Sequence, residues 1–269
     1  MRVKVVCFSG NDCKSSRHVP RLAAYTTYEV SKLYLVIRKW NAICVIVMAA
    51  ILVAFGGIQH YGNMVQTANM HSHILGETVL IIDAGHGGED GGALSDSGVE
   101  EADINLEIAL KAEALAEFSG RETVMTRRED ISIHDASCAT LREKKVSDLK
   151  NRVALCSGVD NGVLISIHQN SLPGHGSVRG AQVFYNQVSG SRELAEAIQT
   201  LLNASVNTRP KSAKAIGSDN YLLNHVSCPA VIVECGFLSS DEDTKLLCDE
   251  NYQKLLASLI LAGAQNHLF

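Results

Sequence analysis

The sequence predicts a single α/β domain with a mostly parallel central sheet flanked by helices on both faces, preceded by an N-terminal hydrophobic helix. Three observations predict it. Short apolar runs rich in β-branched residues, at 78–83 (TVLIID), 162–168 (GVLISIH) and 230–234 (AVIVE), read as strands buried on both faces. Longer segments with helical spacing of apolar residues alternate with them. One uncharged apolar stretch, residues 42–58 (AICVIVMAAILVAFGGI), stands apart near the N-terminus.

Residues 1–41 carry no fold signal and read as a cytoplasmic tail, or as sequence upstream of the true start. Residues 42–58 reach the lower limit of a membrane span, roughly 17–25 residues. Arg38 and Lys39 precede that stretch, and no Lys or Arg follows until Lys111. The positive-inside rule therefore places the N-terminus in the cytoplasm and the rest outside, as a membrane-anchored protein. A cleaved signal peptide is the rival reading. A polar linker occupies 59–76, and a catalytic domain is expected over 77–269.

Within that domain, residues 78–83 form a strand that ends in a glycine-rich loop. Residues 105–118 have helical periodicity through Leu106, Ala109, Leu110 and Leu115. A second strand is expected at 122–126, and an amphipathic helix at 141–156 through Leu149, Val153 and Leu155. The strand at 162–168 is central. Residues 180–185 read as another strand, and 191–205 as a helix with Ser191 in the N-cap role. Residues 221–223 suggest a short strand, 230–234 a buried one, and 241–247 and 252–264 the closing helices.

Composition narrows the function. Apolar residues make up 46% of the chain and charged residues 20%, which suits a globular domain. A net charge of -5 argues against nucleic acid as a partner and leaves a polymeric wall substrate open. Of eight cysteines, Cys138, Cys156, Cys228, Cys235 and Cys248 lie beyond the apolar stretch. They form no CxxC pair and are odd in number, so neither a thiolate zinc site nor a complete disulfide framework is expected.

In α/β sheets ligands gather beyond the carboxyl ends of strands. Three such ends carry acid/base or metal-type side chains: Asp83-Ala84-Gly85-His86-Gly87-Gly88, Ser166-Ile167-His168-Gln169-Asn170 and Val233-Glu234-Cys235-Gly236. Glu100 and Glu101 lie between the first two. His86 and His168 with one carboxylate make a set that holds catalytic zinc and leaves a position open for water. A carboxylate off the metal could carry the proton, and Glu234, ending a buried strand, suits that task. Gly85, Gly87 and Gly88 let the chain turn sharply around His86. Each signal is weak alone; their placement on one sheet edge gives them weight. His134, His175 and His225 are assigned no role.

The runs IIDAGHGGEDGGA, GVEEADINL, TR, SIHQNS and VIVECGFLSS, in that order, resemble the zinc-dependent N-acetylmuramoyl-L-alanine amidases of the amidase-3 family. The resemblance implies one zinc ion, with His86, Glu101 and His168 as ligands and Glu100 as the neighbouring alternative to Glu101. It implies Glu234 as the catalytic glutamate. Asn170, Arg127 and Arg152 match family positions and are expected to bind substrate or support the site. Ala84 stands where the family commonly has proline, and Cys235 where a small or apolar residue is usual. LREKKVSDLKNRV, GAQVFYN and YLLNHVSCPAVIVECGFLS are similar to the germination-specific branch found in spore-forming bacteria. That branch implies removal of stem peptides from spore-cortex peptidoglycan, a step toward muramic δ-lactam. With no room seen for a wall-binding module, targeting would fall to the membrane segment, an activating protein partner or the substrate. Two other functions fit the same architecture: a zinc peptidase acting within the stem peptide, and a non-catalytic wall-binding scaffold.

Overall fold

The computed structural model describes residues 78–268, together with Val47 and Met48, which are helical. The expected tail, the linker and all but those two residues of the apolar stretch lie outside the described residues. No described helix is long and apolar enough to cross a membrane.

Six strands form one sheet in the order β2-β1-β3-β6-β4-β5. They are β1 (Val79–Ala84), β2 (Thr123–Met125), β3 (Gly162–Asn170), β4 (Gln182–Tyr185), β5 (Lys214–Ala215) and β6 (Ala230–Phe237). The helices are α1 (Glu101–Phe118), α2 (Leu141–Ser157), α3 (Ser191–Ser205), α4 (Tyr221–His225), α5 (Asp241–Leu247) and α6 (Glu250–Leu268). β1, β2, β3 and β6 run parallel. β4 is antiparallel to β6, and β5 follows β4. The carboxyl ends of β1, β3 and β6 therefore share one edge with the amino ends of β4 and β5.

The central strands alternate their side chains between two apolar layers, because both faces of a parallel sheet are covered. Leu80, Ile82, Ile165, Ile167, Val231 and Val233 pack beneath α1, α3 and α6 through Ile104, Ile108, Leu194, Ile198, Leu256 and Ile260. Ile81, Leu164 and Ile232 face the other way, onto Cys156 of α2 and Leu222 and Leu223 of α4. Local chemistry fixes where the helices begin. Thr140 opens α2 with a capping box: its hydroxyl accepts from the Glu143 N–H at 3.2 Å, and Glu143 accepts from the Thr140 N–H at 3.0 Å.

Four expectations are corrected. α1 starts at Glu101, four residues before its first expected residue. Ser191 is the first residue of α3 and not its cap; Gly190, at φ +90°, holds that position. The Ser191 hydroxyl instead donates to Asn186 at 2.6 Å and accepts from the Ala230 N–H at 3.0 Å, tying α3 to β6. Residues 221–223 are helical, not a strand. The Asn220 side chain caps α4 by accepting from the Leu223 N–H at 2.9 Å, and the Tyr221 and His225 rings stack one turn apart at 3.9 Å. A three-residue apolar run carries no period, so burial of Leu222 and Leu223 decided the matter. β5, a two-residue strand, was not expected at all.

Candidate metal centre and active site

The loop after β1 brings the first histidine to the edge. His86 has φ +61°, a left-handed conformation rare for a side chain of its size. Such strain persists only where the surroundings over-determine it. Here Arg152 donates to the His86 carbonyl at 2.7 Å. Arg127 donates to the carbonyls of Ala84, Gly85 and Ala102 at 2.9, 3.0 and 2.8 Å. Asp130 accepts from the Gly88 N–H at 2.8 Å. Gly87 and Gly88, at φ +133° and +61°, make the turn itself. Gly85 has a different task from the one expected of it: a Cβ there would stand 2.2 Å from the His168 Nε2. Gly85→Ala is therefore expected to displace the His168 ring. Metal affinity should fall at least about tenfold, since misplacing one ligand is no milder than losing its support. Chelator competition on the purified protein would measure it, and unchanged affinity would show that the ring tolerates the methyl.

His86, Glu101 and His168 converge, with one ligand atom from each all lying within 4.8 Å of one another. The Glu101 carboxylate sits between the two rings, at 3.3 Å from His86 Nε2 and 2.8 Å from His168 Nδ1. It reaches that point because the first turn of α1 buries it, whereas Glu100 is exposed. The Gln169 N–H, the Ala93 N–H and the Asn105 side chain also hold it, at 3.0, 2.9 and 3.2 Å. On its other side, His86 Nδ1 contacts Asp90 at 3.0 Å, which leaves Nε2 facing the cluster. Burial opposes charge on His86, yet the Asp90 and Glu101 carboxylates raise its pKa to about 9. Burial likewise opposes charge on Glu101, but the two imidazoles hold it well below the usual carboxylate range. The cluster thus draws positive charge to its centre, and its donor set, two imidazoles and a carboxylate, is the set that holds catalytic zinc.

Glu234 stands in register beside His168 on the adjoining strand. Its Oε2 is buried and has no hydrogen-bond partner among the described residues. Burial pushes its pKa up to about 7, against the pull of His168. It borders a cavity of about 300 Å³ with His86 and His168, closed on one side by Asp219, Asn220 and Tyr221 at the head of α4.

The remaining expected residues fall into place unevenly. Arg127 and Arg152 are 3% and 2% exposed and spend their donors on loop carbonyls and buried carboxylates, so they support the site. Asn170 lies past a register shift in β3; its carbonyl accepts from the Leu238 N–H at 2.8 Å, and its side chain makes no hydrogen bond among the described residues. Cys235 is fully buried in the apolar layer beneath α1, α3 and α6. Asp90, Asn105 and Gln169 were missed as supports. Two of them were readable: Asp90 follows His86 by four residues, and Asn105 follows Glu101 by four on one helical face.

Residues 80–266 match the family model described as N-acetylmuramoyl-L-alanine amidase. The chain is 32% identical to the germination-specific N-acetylmuramoyl-L-alanine amidase of Bacillus subtilis, over 70% of this chain and 79% of that protein. It superposes with a TM-score of 0.68 on the CwlD amidase of Clostridioides difficile, solved in complex with the GerS lipoprotein. That match has 39% identity and covers 71% of this chain and 98% of the other. An N-acetylmuramoyl-L-alanine amidase from Clostridium difficile 630 aligns with a TM-score of 0.62 at 30% identity, covering 71% and 97% of the two chains.

Proposed function

Because this chain belongs to the N-acetylmuramoyl-L-alanine amidase family, we propose that it hydrolyses the amide between the lactyl group of N-acetylmuramic acid and L-alanine in peptidoglycan. One zinc ion would be held by His86, Glu101 and His168. The observation that carries the reading is the convergence of those three ligands within 4.8 Å beside a buried, unpartnered carboxylate of Glu234. Bound there, zinc supplies Lewis acidity, polarising the scissile carbonyl and bringing the pKa of water toward about 7.

The chain's own residues do the rest. Asp90 fixes the His86 ring, and Glu101 keeps a negative charge between the imidazoles. Glu234 takes the proton of the attacking water and passes it to the departing alanine nitrogen. Its raised pKa suits both halves of that transfer, because the group accepts and releases a proton near neutrality. Arg127 and Arg152 keep the loop of His86 from relaxing.

The similarity to the germination-specific enzyme of Bacillus subtilis supports a spore-cortex substrate, with muramic δ-lactam as the later product. The lipoprotein bound to the Clostridioides difficile relative supports an activating protein partner here as well. Anchoring through residues 42–58, with the domain outside the cytoplasm, rests on the charge asymmetry of the sequence.

Digestion of purified cortex peptidoglycan, followed by mass spectrometry, tests the reaction. Intact stem peptides with a free L-alanine amino terminus are expected. Removing metal with a chelator should stop their release, and added zinc should restore it. Cleavage inside the peptide would replace this reading with a peptidase, and a folded protein that binds no metal would replace it with a scaffold.

A further inference from the structure

The Gln169 side chain is buried between His168 and Asn170, near the end of β3. The register between β3 and β6 shifts at this point. Such irregularities re-aim backbone and side chains beside active sites. Here the Gln169 N–H donates to Glu101 Oε1 at 3.0 Å. The side chain meets Asn105, which is fully buried on α1 one turn after Glu101.

The hydrogen bonds around Asn105 have a direction. Its Nδ2 donates to Glu101 Oε1 at 3.2 Å and to the Gly85 carbonyl at 3.1 Å. A carboxylate and a carbonyl only accept, so the amide nitrogen faces them and Oδ1 faces away. That Oδ1 accepts from Gln169 Nε2 at 3.1 Å, its one donor among the described residues. The second amide is fixed in turn. Its nitrogen faces Asn105, and its Oε1 is left buried with no partner among the described residues.

A buried acceptor without a partner destabilises a fold and calls for an explanation. An apolar side chain of similar length would avoid the orphaned oxygen, so packing does not account for an amide here. The amide supplies a donor for Asn105. Buried hydrogen bonds in a chain polarise one another, so a donor at one end strengthens the donor at the other. We propose that Gln169 is a positioning residue for the metal centre: acting through Asn105, its side chain holds the Glu101 carboxylate between His86 and His168. This role deepens the amidase reading above and rests on it for the metal. Arg127 and Arg152 hold the loop of His86, whereas Gln169 serves a different ligand.

Gln169→Met tests it, because methionine keeps the backbone N–H and the length of the side chain and removes only the amide. Zinc affinity of the full-length protein, read by competition with a chromogenic chelator, is expected to fall about 10–100-fold, as for loss of a group supporting a ligand. The melting temperature of the metal-free protein should stay within about 2–4 °C of wild type, because an unpaired oxygen on Asn105 replaces the one on Gln169. The d–d absorption of the cobalt-substituted protein should change, since it reports ligand geometry. In an Asn105→Ala background, Gln169→Met should lower zinc affinity no further, because the route through Asn105 is already cut. Gln169→Asn, whose amide is too short to reach Asn105, gives the same decision if the methionine variant does not fold.

Zinc affinity and a cobalt spectrum equal to wild type overturn the proposal. So does an equal further loss in the Asn105→Ala background, which would mean that Gln169 acts by another route. A wild type that binds no zinc overturns it as well. Turnover of cortex peptidoglycan is read separately. If the wild type cleaves and the variant keeps its zinc affinity, the positioning role fails and the amidase stands. If the variant loses affinity and the zinc-loaded wild type does not cleave, the positioning role stands and the amidase reading fails.

Discussion

Glu234→Gln is expected to lower turnover by about 10²–10⁴-fold, the usual worth of a positioned acid–base group, while zinc binding stays within a few-fold of wild type. The same change should stabilise the metal-free protein. Burial raises the Glu234 carboxyl to about 7, so the folded state holds its proton more tightly than the unfolded chain does. Between the unfolded value near 4.5 and the folded value near 7, the cost of keeping this group charged and buried grows, and above 7 it is fully present. That cost is about 3 kcal/mol, and glutamine does not incur it. Thermal melts of both proteins after chelation, at pH 8 and at pH 4, would show the difference. A gain at pH 8 that shrinks at pH 4, together with lost turnover, is the expected pattern. Retained turnover would remove Glu234 from the proton path, and a loss of stability at pH 8 would mean that its carboxylate has a partner.

The second large effect lies beneath the site. Asp83 and Arg152 are 1% and 2% exposed and form an ion pair; Ser166 and Thr126 donate to the same carboxylate at 2.6 and 2.8 Å. Burial by itself would raise the Asp83 pKa, but the Arg152 guanidinium, His168 and the Ser166 and Thr126 hydroxyls together outweigh it and bring the group down to about 2. Removing one member of a buried pair strands the other, and typically costs about 3–5 kcal/mol. Arg152→Met should therefore lower the melting temperature by roughly 6–20 °C for a domain of this size. It should also lower metal affinity, because Arg152 holds the His86 carbonyl. The pH dependence has a definite sign. A depressed carboxylate contributes stability above its unfolded value, near 4, and loses it as pH falls through about 2. The wild type should lose this contribution between pH 4 and 2, and the Arg152→Met protein should lack it throughout. A melting temperature within 2 °C of wild type at pH 7 would show that the pair is dispensable.

Much of the architecture was legible because a buried parallel strand needs apolar residues on both faces, and few other structures leave so dense a run. That logic located β1, β3 and β6, and with them His86, His168 and Glu234 at strand ends. It failed for residues 221–223. There the choice of helix over strand depended on the Asn220 cap and on where Leu222 and Leu223 found their core. It also failed for the short β5, whose two residues are both exposed and leave no apolar signal.

The two arginines show a second limit. Arg127 and Arg152 were marked as substrate or support residues, and only the fold could choose, because the carbonyls they bind come from a loop 42 to 68 residues away. Gly85 shows a third: its need is set by the His168 ring, 83 positions on in the sequence, and no local turn signal records it. The sequence by itself located the buried strands and the histidines and carboxylates at their ends, since periodicity and composition are local properties of the chain. The tertiary structure alone decided how the Glu101 carboxylate comes to lie between the two histidines, which carbonyls the two arginines hold, and that Gly85 must leave room for the His168 ring. Those depend on how distant segments approach one another, which the spacing of residues along a chain does not encode.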